Sequence, residues 1–245
     1  MNQYYQNPQD PYRQTPPPYY GQSSIVKQSN AIMRQVYVRM FVGLLITAFC
    51  ALGVAVTPGL AMVVLGNKIV FWGMVIAMFA IAIIMPTRMD KMSTTSLMAL
   101  FFVYSAIMGV FLAPIFYAYH LGTIAYTFFI TAGVFGAMSV YGYFTKTDLT
   151  KIGSFLMMAL FGLLIVMIVN IFMKSSAMEW IISAAGVLIF MGFTAWDTQT
   201  VRRLAAANLD PTMASKLGTM AAFNLYLDFI NLFLFLLRIF GGGRD

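Results

Sequence analysis

Seven apolar runs recur between Val36 and Phe240, each about 18 to 25 residues long, which is the length an α-helix needs to cross the hydrocarbon core of a bilayer. Their composition leaves little room for a soluble alternative. Of the 245 residues, 60% are hydrophobic and only 9% are charged, whereas soluble domains carry roughly a quarter charged residues. A transmembrane β-barrel would instead alternate apolar and polar residues in stretches of about ten. The expected fold class is an all-α integral membrane protein with seven transmembrane helices.

The net charge of +7 does not mark a nucleic-acid binder, because the basic residues fall between apolar runs and are explained by membrane orientation. The N-terminal side collects Arg13, Lys27, Arg34, Arg39, Arg88, Lys91, Lys146, Lys151, Arg202, Arg203 and Lys216. The other side collects Lys68, Lys174, Arg238 and Arg244. This bias predicts a cytoplasmic N-terminus and, after seven spans, a C-terminus outside. Arg238 lies a turn from the end of the last span and is placed to snorkel. Cys50 is a single cysteine inside the first span and reads as a small apolar residue. His120 has no Cys, Asp or Glu near it and reads as interfacial.

Residues 1–30 are rich in Gln, Tyr, Pro, Ser and Asn and cannot bury a core, so they read as a disordered cytoplasmic tail rather than a signal peptide. Residues 31–245 form the membrane domain. Span one is expected over about 36–57, span two over 69–85 with Pro86 as its stop, and span three over 95–119 with Gly109 and a kinking Pro114 inside. Span four is expected over 123–144, where Gly133, Gly136, Ala137 and Ser139 suit close helix packing. Span five covers about 152–173, span six starts near Trp180, and span seven ends near Phe240.

The last two spans each carry one carboxylate, Asp197 and Asp228, in otherwise apolar surroundings. An ionisable residue at membrane depth is expensive and is a functional-site hypothesis by default. Asp210-Pro211 between the spans is a helix-start signal, with Asp as N-cap and Pro at the first helical position. Each aspartate then lies about 15 residues, or roughly 22 Å, from the turn, so an antiparallel hairpin allows both at similar depth. Helix rotation decides whether they meet. Two carboxylates that meet in a medium of low dielectric do not both stay ionised unaided; the pair shares a proton, or gains a basic partner or a cation. Calcium prefers several oxygen ligands, so Asp197 and Asp228 would make only a weak calcium site. Asn224 and Asn231 lie within two turns of Asp228 as supporting polar residues, and Asn170 suits a helix-packing hydrogen bond. Glu179, beside Trp180, reads as interfacial.

The run Leu225-Tyr226-Leu227-Asp228-Phe229-Ile230-Asn231-Leu232-Phe233, followed by Leu236-Leu237-Arg238 and Gly241, resembles the C-terminal signature of the Bax inhibitor-1 (transmembrane Bax inhibitor motif) family. Trp196-Asp197-Thr198-Gln199 is similar to the family's Tyr-Asp-Thr-Gln, with Trp196 in place of the tyrosine. Gly109 and Pro114 fit as well. The resemblance covers about residues 30–242 and is that of a bacterial member. It implies seven helices with the C-terminal one wrapped by the other six, and a pH-sensitive calcium leak whose sensor and gate are Asp197 and Asp228. It also implies a basic latch for the span-six aspartate near the cytoplasmic end of span two, where Arg88 and Lys91 are both candidates. The family's bacterial form carries a glutamate in span two; span two here has no acid.

The leading expectation is therefore a pH-gated calcium leak channel of the bacterial cytoplasmic membrane, without cofactor and not an enzyme, with membrane lipid and calcium ions as its partners. One alternative is a non-conducting regulator that binds other membrane proteins, such as a membrane AAA protease. An intramembrane aspartyl protease also places two aspartates on consecutive spans, but it carries Gly-x-Gly-Asp, and Asp228 here follows Leu225-Tyr226-Leu227 with no glycine.

Overall fold

The computed structural model describes residues 20–207 and 209–241, with backbone alone for 20–30 and 65. The described residues are almost entirely helical and contain no strand. The helices are α1 (Tyr20–Ala55), α2 (Pro58–Gly66), α3 (Lys68–Arg88), α4 (Thr94–Leu112), α5 (Ile115–Ala118), α6 (Leu121–Phe144), α7 (Thr150–Met173), α8 (Ser176–Ala206) and α9 (Pro211–Phe240). Seven stretches are long and apolar enough to cross a membrane, with α4 and α5 together making one of them. Their outer surfaces expose large apolar side chains, including Phe49 at 71% and Phe172 at 82%. Water would not tolerate that much apolar surface, and acyl chains do.

Several expected boundaries shift for local reasons. Helix α1 starts at Tyr20, so residues 20–30, which composition assigns to the tail, have helical backbone. Once the apolar span has nucleated the helix, adding a turn costs little even for Gln and Ser. Residues 1–19, with the proline run, lie outside the described residues. Pro86 does not stop α3, which continues through it to Arg88. Pro114 does interrupt span three: α4 ends at Leu112, and Pro114 caps the short α5. The connection between α1 and α3 is itself helical, forming α2 with Pro58 at its first position.

Helix α9 is the most buried of the spans, at 61% of its most apolar window against 11% for α7 and 17% for α3. It starts as its sequence dictates: the Asp210 carboxylate accepts from Thr212 N at 2.9 Å and Met213 N at 3.3 Å, with Pro211 at the first helical position. Four helices, α1, α4, α6 and α8, account for the packing around it, while α3 packs mainly on α4 and α7 mainly on α8.

Close approaches between the spans occur at two glycines in particular. A Cβ on Gly109 would strike the Thr47 carbonyl of α1, and one on Gly142 would strike the Ala195 carbonyl of α8. The small residues expected to do this in span four do not. Gly133 and Ala137 are exposed and Gly136 half-buried, with open space beside both glycines. Only Ser139 of that group is buried. The buried face of α6 is instead Thr127, Thr131, Phe135, Ser139 and Gly142.

Candidate functional site: the α8–α9 aspartate pair

One turn of α8 engages four different parts of the molecule. Trp196 lays its indole against Gly153 of α7, where no Cβ would fit. Asp197, 7% exposed, points at α9. The Thr198 hydroxyl is 3.1 Å from the Tyr37 hydroxyl of α1. Gln199, 2% exposed, accepts from Leu149 N at 2.9 Å and donates to the Thr147 carbonyl at 2.8 Å, holding the α6–α7 connection. Consecutive residues of a helix point about 100° apart, so four in a row reach four neighbours only where the helix is enclosed.

Helix α9 does the same around Asp228. The Tyr226 hydroxyl lies 2.7 Å from Thr47 Oγ1 of α1, and its ring meets Phe101 and Tyr104 of α4 edge-on. Thr47 Oγ1 in turn donates to the Ser105 carbonyl at 2.9 Å. Phe229 lies between Phe128 and Phe135 of α6, with ring centroids 5.4 Å away in each case. These contacts fix the rotation of α9 and turn Asp228 towards α8.

The two carboxyl groups lie within hydrogen-bonding reach of each other. Asp228 is 5% exposed, and its Oδ2 has no hydrogen-bond partner among the described residues. A carboxylate only accepts, so a hydrogen bond between two carboxyl groups requires a proton on one of them. The arrangement therefore suits a pair that shares a proton, and it leaves Asp228 Oδ2 without a protein partner among the described residues. Among the described residues no group of three or more His, Cys, Asp or Glu side chains converges. The pair thus offers a calcium ion two carboxylates, short of the six to eight oxygens that ion takes when held firmly.

The other candidate residues lie elsewhere. Arg88 and Lys91 are exposed at the end of α3 and the turn after it, and the one ion pair among the described residues is Arg203 with Asp148. The structure does not bring either basic residue to the aspartates. Asn224 is exposed, and Asn231 donates to the Leu227 carbonyl of its own helix at 2.8 Å. Asn170 accepts from Ser175 N at 3.2 Å and closes the end of α7 rather than joining two spans.

A different arginine is the structural cation. Arg39, inside the first span, donates to the Ser215 carbonyl, Ser215 Oγ and Thr219 Oγ1 of α9, each at 2.9 Å. Lys216 donates to the Asp90 carbonyl at 3.1 Å. Arg202 donates to the Tyr143 and Thr145 carbonyls. Arg203 donates to Thr150 Oγ1 and Gln199 Oε1, both at 2.7 Å, besides pairing with Asp148. The faint signal for Arg39 was Ser215 and Thr219, two small hydroxyls one turn apart.

Two buried carboxyls that face each other from the last two of seven spans mark a polytopic helical membrane protein with an intramembrane acid pair. Residues 29–245 match the family described as "Inhibitor of apoptosis-promoting Bax1", and the chain belongs to that family. It is 43% identical to the inner membrane protein YbhL of Escherichia coli K12 over 214 residues, covering 86% of this chain and 92% of that protein. It is 41% identical to an uncharacterized protein of Borreliella burgdorferi, covering 88% and 94% of the two chains. A Deinococcus radiodurans protein is 37% identical, covering 91% and 95%.

Proposed function

We propose that the protein is a passive calcium leak, gated by the protonation state of Asp197 and Asp228. The observation that supports this most directly is the contact between the two carboxyls, with Asp228 Oδ2 left unpartnered in the membrane domain. With one proton shared, the pair clasps α8 to α9. With both protons gone, two like charges about 4 Å apart repel by about 4 kcal/mol at an effective dielectric of 20. Separation of the helices or entry of a divalent cation relieves that repulsion, so the same pair suits both a gate and a transient ligand. Two carboxylates without further acids hold calcium weakly, as a conducting path requires and a storage site does not.

The basic residues that cluster at one end support an N-terminus in the cytoplasm. The Escherichia coli relative YbhL is an inner membrane protein, which supports that location here. We read the acid pair as a gate rather than as a catalytic centre, because no glycine precedes Asp228 in Leu225-Tyr226-Leu227.

The test is calcium flux into dye-loaded liposomes carrying the purified protein, followed from about pH 8 to about pH 6, because burial and mutual repulsion make the pair sensitive to proton concentration. Wild-type protein is expected to give a pH-dependent flux. Asp197→Asn and Asp228→Asn are each expected to flatten that dependence. Flux equal to that of empty liposomes at every pH would refute the leak.

A further inference from the structure

At the opposite end from the arginine clamps, the end of α7, the start of α8 and the end of α9 border an open cavity of about 410 Å³. Its walls bear Lys174, Glu179 and Arg238, the amide of Asn170, and the apolar side chains of Met167, Ile171 and Ile182. A second cavity of about 140 Å³ shares Glu179 and Arg238 and adds Ser176, Trp180 and Ser183. Two cations and one anion thus face common space without forming an ion pair, since the one pair among the described residues lies at the other end. The Arg238 guanidinium rests over the Phe235 ring, 5.7 Å from its centroid, which leaves its N–H edge free of acidic partners.

Lys174 shows that this arrangement is not a by-product of a loop. It is the one described non-glycine residue with positive φ, at 49°. It ends α7 in the left-handed conformation, where glycine or asparagine is the usual choice. A lysine here accepts backbone strain at a position that lines the cavity.

We propose that this cavity binds the headgroup of an aminophospholipid, a lipid that carries a phosphate and a primary ammonium. Lys174 and Arg238 supply the cationic donors that phosphate oxygens take. Glu179 supplies an acceptor for the ammonium N–H groups, which a trimethylammonium lacks. Met167, Ile171 and the buried Ile182 line the same cavity, and Ile171, 67% exposed, continues into the lipid-facing surface of α7, where the acyl chains would lie. Trp180, 62% exposed, lies in the first two turns of α8, where an indole suits the membrane interface. The proposal is independent of the calcium reading, because none of these residues belongs to the aspartate pair.

The test is native mass spectrometry of the full-length, detergent-purified protein titrated with phosphatidylethanolamine, phosphatidylcholine and phosphatidylglycerol of equal chain length. Phosphatidylethanolamine is expected to bind about tenfold more tightly than phosphatidylcholine, the gain of one charge-assisted hydrogen-bonding partner. Glu179→Gln is expected to erase that preference while leaving residual phospholipid binding. Arg238→Gln with Lys174→Asn, the latter chosen because asparagine tolerates the left-handed backbone, is expected to weaken all three lipids about tenfold or more. Equal affinity of the wild type for the amine and choline lipids would overturn the proposal, as would an unchanged preference in Glu179→Gln. Saturation by soluble phosphoethanolamine or inorganic phosphate at the lipid's own concentration would also overturn it, by assigning the site to a free anion. Melting curves matching the wild type establish that each variant is folded.

Discussion

At the basic end of the α8–α9 hairpin, side chains reach for main-chain carbonyls: Arg39 for Ser215, Arg202 for Tyr143, Gln199 for Thr147 and Lys216 for Asp90. At the C-terminal end the same two helices meet through Gly186 and Phe190 against the Phe235 ring, beside a cavity of about 410 Å³. The first kind of contact is directional and ties helices to one register, whereas the second is set by shape and lets rings slide. The acid pair sits between them. Its register is thus imposed from the basic end, and the packing set by shape alone lies towards the other.

The largest expected effect comes from adding one methyl group at each end. Gly142→Ala drives a Cβ into the Ala195 backbone, which cannot turn aside, and is expected to cost about 3 kcal/mol. Gly186→Ala places a Cβ 2.6 Å from the buried Phe235 ring, a side chain rather than backbone, and is expected to cost less, about 2 kcal/mol. Thermal unfolding in detergent compares them, and equal losses would erase the distinction between a rigid and a yielding end.

Exchanging arginines sharpens the same contrast. Arg39→Gln removes a charged donor from three acceptors in a half-buried setting and is expected to cost about 2 kcal/mol. Arg238→Gln removes an exposed cation from one aromatic face and is expected to cost about 0.5 kcal/mol. A larger loss at Arg238 would show that the C-terminal end is the one held by charge.

Gln199→Ala is the next step down. Its amide satisfies Leu149 N and the Thr147 carbonyl, so its removal is expected to cost about 1.5 kcal/mol. The effect should be local, with hydrogen exchange faster at Leu149 and in the connection between α6 and α7 than at Tyr226. Uniformly faster exchange would mean that Gln199 supports the whole bundle.

The spans and the hairpin could be read from the chain because their causes are local. Apolar runs of bilayer length, the Asp210-Pro211 start and the equal distances of Asp197 and Asp228 from one turn all lie within short windows of sequence. That the aspartates meet was not readable, because rotation of α9 is set by Thr47, Phe101 and Phe135 in three other helices. The same gap explains Gly133 and Gly136: small residues permit close packing, but the face turned inwards carries Gly142 instead. Arg39 reads as a loop charge from the sequence because its partners, Ser215 and Thr219, lie across the bundle on α9. Arg88 and Lys91 carry the charge a latch needs near the end of span two, yet both are exposed.

The smallest effect tests whether exposed charge adds anything to the basic end. Hydrogen bonds from Thr150 and the Arg203 guanidinium hold the Asp148 carboxyl well below the usual carboxylate range. A group whose folded value is depressed contributes stability above its unfolded value, near 4, and loses it as pH falls through the folded value. Asp148→Asn is therefore expected to lower the Tm slightly at neutral pH, with the two melting profiles converging only well below pH 4. Because Asp148 is fully exposed, the difference should be smaller than that of Gln199→Ala and should shrink further in about 1 M salt, where charges are screened within about 3 Å. A difference as large as that of Gln199→Ala, or one insensitive to salt, would make the Asp148–Arg203 pair rather than the buried amide the fastening of the α6–α7 connection.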